Sequence, residues 1–302
     1  MHLQNAPAHK LPATSPSAFP SEITTSALTN AATSEVLDFL SQRPLENVML
    51  IGFIIDNGLV SSRNRGTFYG CRNRVGELEG VALIGHITLM ETRTDRALTE
   101  FAALAAQCNS THMIMGESDR VREFWSHYSP DGQQIRKALG EHLMKLRFPL
   151  EVMPHVDGLR RAKPEDLDLI LPVHAQMALE ESGVDPLETD PIGFCARSLR
   201  RIENGRTWVW IESGELIFKA EVISDTPDVI YLEGVWTNPG HRAKGYGRRC
   251  LIQLARQLLS RKPNASVCVF VNKEKPAAIR FYERAGFKAG GAYDTAFLRL
   301  SA

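Results

Sequence analysis

Apolar and polar positions follow two rhythms along the chain, one near two residues and one near 3.6, and the switches between them mark out elements. Glu35 to Gln42 reads as a helix with Ser34 at its N-cap, and Val48 to Leu59 is a continuous apolar segment. Two strand-like runs, Gly66 to Arg72 and Leu78 to Met90, flank the turn Asn73 to Gly76 and predict a hairpin. A helix follows over Asp95 to Gln107, then a short strand over Thr111 to Gly116 and a helix over Asp119 to Tyr128. Gln133 to Leu146 reads as a further helix, ending before Pro149.

A second unit begins after Pro154-His155. Gly158 to Ala162 reads as a strand, and Lys163-Pro164-Glu165-Asp166-Leu167 opens a helix running to Glu181, with proline in the first turn and acids beside the positive helix end. A helix over Ile192 to Asn204 comes next, then the hairpin Thr207 to Glu212 and Glu215 to Ser224 across Ser213-Gly214. A strand over Val229 to Thr237, a loop and a helix to Leu259 follow, then a strand over Ser266 to Val271, a helix over Pro276 to Ala285 and a strand over Tyr293 to Leu300. The order is β-α-α-β-β-β-α-β-α-β. The first unit reads as a worn copy: Gly76-Glu77-Leu78 stands where the second unit has Gly214-Glu215-Leu216, and helix, strand and helix follow in both.

Composition narrows the class. At 302 residues the chain is long for one domain, and residues 1–30, rich in Ala, Ser, Thr and Pro, read as a flexible tail. Lys+Arg and Asp+Glu balance at 35 each, which argues against nucleic acid or an anionic membrane as partner. The longest apolar run, Val48 to Ile55, is far too short to span a bilayer. Cys71, Cys108, Cys195, Cys250 and Cys268 are scattered, odd in number and without any C-x-x-C, which argues against a disulfide scaffold or a zinc site and for a reducing cytoplasm; the nine histidines show no ligand-like pairing either.

The stretch with the clearest chemistry is Tyr231 to Gly247, where an apolar strand runs through Asn238-Pro239-Gly240 into a basic, glycine-punctuated helix start. First-turn amides have no intrahelical partner and carry partial positive charge, so glycines there admit an anion, and Arg242 and Lys244 add full charges. A P-loop fails, because Tyr246 and Gly247 stand where Lys and Ser/Thr are needed; a dinucleotide fingerprint fails, because the close glycine pair comes last.

What remains is Arg-x-x-Gly-x-Gly at Arg242, Gly245 and Gly247, which resembles the pyrophosphate loop of the GNAT (GCN5-related) N-acetyltransferases. Gly234 to Arg242 has the strand-to-loop spacing of that family, Val269-Phe-Val-Asn272 its next strand, and Ala278 to Phe287 its closing segment. The detail Phe218-Lys-Ala-Glu221 and the two-unit layout are similar to a bacterial subfamily in which a GNAT domain follows an N-terminal domain of unassigned function. The resemblance implies an α/β (α+β) GNAT fold: a mixed, mostly antiparallel twisted sheet flanked by helices, with a catalytic domain over 156–302 after a degenerate GNAT-like domain over 31–153. The first unit has no glycine between Met90 and Phe101, so no phosphate cradle is expected there.

By the same resemblance, acetyl-CoA is the acyl donor, without a metal. Val235, Trp236 and Thr237 hold its pantetheine arm, with the Val235 amide on the thioester carbonyl. Arg242, Ala243, Lys244, Gly245, Tyr246 and Gly247 hold its pyrophosphate. Asn272 contacts the pantetheine, although a turn-forming asparagine is nearly as good a reading. Tyr282 stands where the family places the acid for the leaving thiolate; the alternative is core packing beside Phe281 and Phe287. The base is open: Glu233, two residues before Val235 and read as on the same face, has rivals in Glu221, Glu180 and Glu181. The acceptor is a small-molecule or peptide amine, with no nucleic-acid or membrane partner, and the protein is a monomer or homodimer. A silent acyl-CoA-binding module and a transferase of longer acyl groups are the competing functions.

Overall fold

The computed structural model describes residues 23–299. The first half contains β1 (Thr24–Ala27), α1 (Thr33–Leu40), α2 (Val48–Asn57), β2 (Gly66–Arg72), β3 (Leu78–Gly85), β4 (Ile87–Thr92), α3 (Asp95–Ala106), β5 (Met113–Glu117), α4 (Ser118–Tyr128) and β6 (Ile135–Leu146). The second contains β7 (Leu159–Arg161), α5 (Leu167–Ser182), the short α6 (Pro186–Thr189), α7 (Pro191–Glu203), β8 (Thr207–Glu212), β9 (Glu215–Asp225), β10 (Val229–Thr237), α8 (Tyr246–Leu259), β11 (Ser266–Asn272), α9 (Pro276–Arg284) and β12 (Lys288–Leu298). Apart from α6, the two halves have the same element order.

The strands form one 12-stranded sheet in the order β1-β2-β3-β4-β5-β12-β6-β11-β10-β9-β8-β7. The centre is an exchange. The last strand of the second half, β12, pairs antiparallel with β5 of the first, while β6 of the first half pairs antiparallel with β11 of the second. The two exchanged strands pair with each other, Tyr293 opposite Glu141. Apolar faces of α8 and α9 cover β9 to β11 around Leu251, Leu254, Val267 and Val269; α3 and α4 cover the first half around Phe101 and Phe124. Among the described residues no helix is long and apolar enough to cross a membrane.

Several sequence expectations are corrected. Gln133 to Leu146 is not helical: β6 pairs along both edges, with β11 and β12, and its burial alternates from Leu139 to Leu143, but a glutamate, Glu141, fills one of the buried positions, so the remaining apolar residues Leu139, Leu143 and Leu146 fall at a spacing that also suits a helix. The run Leu78 to Met90 is two strands, β3 and β4, that turn at Gly85-His86: β3 is buried on both faces, so its apolar run continues into β4 with only that short break. The expected tail over 1–30 overlaps β1, whose Thr24 to Ala27 pair with β2; its residues 1–22, like Leu300 of the expected last strand, lie outside the described residues. That last strand starts at Lys288, ahead of the expected Tyr293.

Candidate active site

The site is built where two neighbouring strands part. β10 and β11 run parallel and pair at Val229–Ser266, Ile230–Val267 and Tyr231–Cys268, and the register ends there. β10 continues to Thr237 and β11 to Asn272, so a wedge opens between them, with β9 still closing the far side of β10. Within β10, Glu233 faces Glu221 and Trp236 faces Lys219, so Gly234 and Val235 together oppose the single residue Ala220, a β-bulge. Gly234 has φ 61°, a left-handed conformation that glycine adopts without cost.

The bulge overturns one expectation. With a residue inserted at Gly234, Val235 turns to the α8 side and packs against the core there, while Trp236 joins the cluster of Ile170, Ile202 and Val209 on the α5–α7 side. Glu233 shares the side of Trp236, so Glu233 and Val235 lie on opposite faces; simple alternation had put them on one.

Beyond Thr237 the chain passes through residues 238–245 before α8. Asn238 builds the first turn: its Oδ1 accepts from Gly240 N–H at 2.9 Å, and its Nδ2 donates to Glu215 Oε1 at 2.8 Å and Leu216 O at 3.1 Å. Ala243 and Gly245 have φ of 62° and 78°. The first helical bond of this segment runs from Arg249 N–H to Gly245 O at 3.1 Å, so the amides of Gly245 to Arg248 precede the ladder. Arg242 anchors to the strand end by Nε–H to Thr237 O at 3.1 Å and is exposed, as is Lys244. Gly247 sits against Thr237: a Cβ there would be 2.4 Å from Thr237 Oγ1, so any side chain would push the helix start off the strand. Tyr246 meets Trp210 edge-on at 5.0 Å. These residues form an exposed, basic helix start whose first amides precede the helical ladder, at the end of the strand that borders the wedge, which fits a pyrophosphate.

The carboxylates separate by environment. Glu221 is buried, ion-paired to Arg201, with Lys219 Nζ and His174 Nε2 each at 3.7 Å. Burial alone would raise it, but Lys219 and Arg201 outweigh that and hold it well below the usual carboxylate range. A carboxylate so engaged makes a poor proton acceptor. His174 is pushed down to about 4 by burial and is neutral, with its Nδ1 3.1 Å from Ser198 Oγ. Glu233 behaves oppositely: burial in the cleft wall and then Glu181 push it up to about 7, against the pull of Arg201. Water reaches Glu233 from the open side of the cleft, which works against this rise, and protein crowds it on the others. Glu181, at the end of α5, is raised by burial and by Glu141. Glu141 comes from the exchanged strand β6; it is buried, accepts Thr295 Oγ1–H at 2.6 Å, and is raised by burial, with Glu233 adding to the rise. Glu180 is exposed and bonded to Gln176 Nε2 at 3.2 Å.

Tyr282 lies on α9 between Phe281 and Phe287, with ring centres 5.2 and 5.3 Å away, and burial pushes its phenol well above the ordinary value. Asn272 Oδ1 accepts Glu274 N–H at 2.8 Å, which is the turn-forming role. Sequence reasoning assigned no role to Lys219, Arg201 or Glu141. Lys219 was visible as a charge two residues from Glu221 in an otherwise apolar strand; Glu141 was hidden in a segment read as helix.

The fold is the GNAT fold. It is similar over more than nine-tenths of its length to solved structures of low identity: a GNAT-family acetyltransferase from Colwellia psychrerythraea (14% identity, 92% of this chain and 100% of that one, TM-score 0.57), a tandem GNAT protein from the clavulanic acid biosynthesis pathway (13%, 93% and 100%, TM-score 0.58) and a Drosophila protein (13%, 92% and 99%, TM-score 0.62). Residues 174–287 match the model of the acetyltransferase (GNAT) family, so the second half of the chain carries a GNAT domain. No curated protein matches the sequence.

Proposed function

We propose that the chain is an acetyl-CoA-dependent N-acetyltransferase acting on a small-molecule or peptide primary amine, with residues 156–302 as the catalytic domain and 31–153 as a degenerate copy. One observation carries the reading: the wedge left where β10 and β11 stop pairing leads to bare amides at the start of α8. The backbone of Val235 to Thr237 lines one edge of the wedge for a pantetheine arm, and Arg242 to Gly247 take the pyrophosphate. Acetyl-CoA supplies an activated acetyl thioester there.

Glu233 is the best base among the four carboxylates. A carboxylate raised toward 7 holds a proton more firmly than an ordinary one while still ionised in half the molecules near neutral pH. Glu221 is excluded by its three partners, and Glu180 is the weaker candidate because its carboxylate is turned onto Gln176 of its own helix. Glu181 and Glu141 beside Glu233 make the acceptor side acidic, which suits an amine arriving as a cation. Tyr282 donates a hydrogen bond to the departing thiolate. Its raised phenol makes full proton transfer uphill, and this favours a second reading, a silent acyl-CoA-binding module. The continuous sheet shared by the halves stands in for a dimer and supports a monomer. The five free cysteines and the balanced charge support a reducing cytoplasm and no nucleic-acid or membrane partner.

Following thiol release on mixing with acetyl-CoA and panels of amines, amino acids and peptides tests this. Turnover on an amine is expected; binding of acetyl-CoA with no turnover on any acceptor would leave the silent module.

A further inference from the structure

Lys219 is the most completely buried cation of the second repeat, with no exposed surface. It stands on β9 opposite Trp236, directly beside the bulge. Its ammonium has two neighbours. Glu221 Oε1 is 3.7 Å away, which supplies opposite charge but is too far for a hydrogen bond. Gly234 O, at 3.1 Å, accepts a hydrogen bond from Nζ.

That second contact fixes a direction. The carbonyl of Gly234 and the N–H of Val235 belong to one planar trans peptide unit, in which they point opposite ways. With Gly234 O held on the ammonium, the Val235 N–H is turned away from Lys219. The bulge takes this peptide unit out of regular register with β9, and β11 has already parted from β10. Fit at this point is close: a Cβ on Gly234 would be 2.8 Å from Lys219 Nζ. A buried ammonium is costly unless compensated, and here Glu221 compensates it while being anchored in turn by Arg201 from α7. A charged donor on the carbonyl also polarises the peptide and makes its N–H a stronger donor.

We propose that Lys219 is a positioning residue: by holding Gly234 O it aims the Val235 N–H into the wedge between β10 and β11, where that N–H polarises the acyl carbonyl of the donor. This rests on the acetyltransferase reading for what the amide meets, but the orientation of the peptide is a property of the protein alone. The role of Glu221 is then to make a buried lysine tolerable, which explains why a carboxylate next to the cleft is unavailable as base.

The test uses the double variant Lys219→Met/Glu221→Gln, which keeps both volumes and removes the two buried charges together, leaving the part-exposed Arg201 with an amide oxygen in place of its carboxylate partner. Lys219 lowers Glu233 and Glu221 raises it, so removing both largely cancels at Glu233, where Glu181, Arg201 and Glu141 remain as neighbours. The acid limb of the pH–rate profile therefore stays close to that of the parent. Amide hydrogen exchange of the ligand-free protein at Gly234 to Trp236 is expected to quicken at least about tenfold. The kcat is expected to fall on the order of 10²-fold, the scale for losing one oriented donor, with acetyl-CoA Kd changed by less than about threefold. Gly234→Ala, which displaces the ammonium while keeping both charges, should give the same split. Unchanged exchange at these amides overturns the proposal whatever the activity, and so does faster exchange with kcat within about twofold of the parent. Failure of the parent protein to bind acetyl-CoA would instead sink the acetyltransferase reading, and the exchange experiment would still decide what Lys219 holds.

Discussion

The two halves of the chain contain the same wedge, filled in two ways. In the first half β4 and β5 pair in parallel at Ile87–Met113, Thr88–Ile114 and Leu89–Met115 and then part, as β10 and β11 do. Counting from the paired positions, Glu91 stands where Glu233 stands in the second half. Around Glu91 the space left is only about 30 Å³, lined among others by Met49, Leu50, Met115, Phe270 and Tyr293, and it is spanned by internal charge. Arg43, between α1 and α2, bonds to Glu91 at 3.3 Å and to Glu117 at 2.7 Å, and Arg93 reaches Glu91 at 3.0 Å. The corresponding connection in the second half, residues 183–190, carries Asp185, Glu188 and Asp190 and no Lys or Arg. The loops differ as well. Only Arg93 and Thr94 separate β4 from α3, and the Thr94 hydroxyl caps the helix by accepting Ala97 N–H at 3.3 Å, whereas residues 238–245 leave the α8 amides bare. An anion site thus depends on loop length and on an uncapped helix start, and a cation site on whether the chain supplies its own arginine.

The largest expected effect breaks the loop contrast. Gly245→Trp puts an indole at a left-handed position in the open mouth of the cradle, and acetyl-CoA affinity should fall by more than about 100-fold by calorimetry, on the scale of losing most pyrophosphate contacts. Asp95→Trp, at the matching helix start of the first half, should leave affinity unchanged.

Next come the reacting groups. Glu233→Gln should lower kcat by roughly 10² to 10³-fold with acetyl-CoA Kd little altered. In the parent, kcat/KM should rise with pH through about 7, because the base must lose its proton and burial has raised it there; the variant should lose that limb. Tyr282→Phe should lower kcat with little change in binding, and an unaltered rate removes it from the mechanism.

A smaller effect sharpens the charge contrast. Arg43→Met leaves Glu91 buried with Arg93 alone, and should cost about 2 kcal/mol by urea unfolding while kcat stays within about twofold. Adding Glu91→Gln should recover most of it. Smallest of all, Glu180→Gln should change neither rate nor stability, since its partner is solvent-exposed.

How much of this was legible follows from sequence distance. The loop from Asn238 to Gly247 could be read because its glycines, turn and charges act on neighbours within a few residues. The exchange of β6 and β12 could not, because whether Ile135 to Leu146 is helix or strand depends on β11 and β12, more than a hundred residues away. The faces of Glu233 and Val235 were misassigned because a bulge is a mismatch between two strands, and its one local trace in β10 is the glycine at 234. The quoted Phe218-Lys-Ala-Glu221 contained the buried ion pair, but the carbonyl that Lys219 holds lies across that bulge.

Calorimetric titration of the intact chain with acetyl-CoA is the most direct test of the central claim, that one wedge is a cofactor site and its twin is not. One equivalent bound per chain, lost in Gly245→Trp, is the expected result. Two equivalents, or a single one that survives Gly245→Trp, would contradict it.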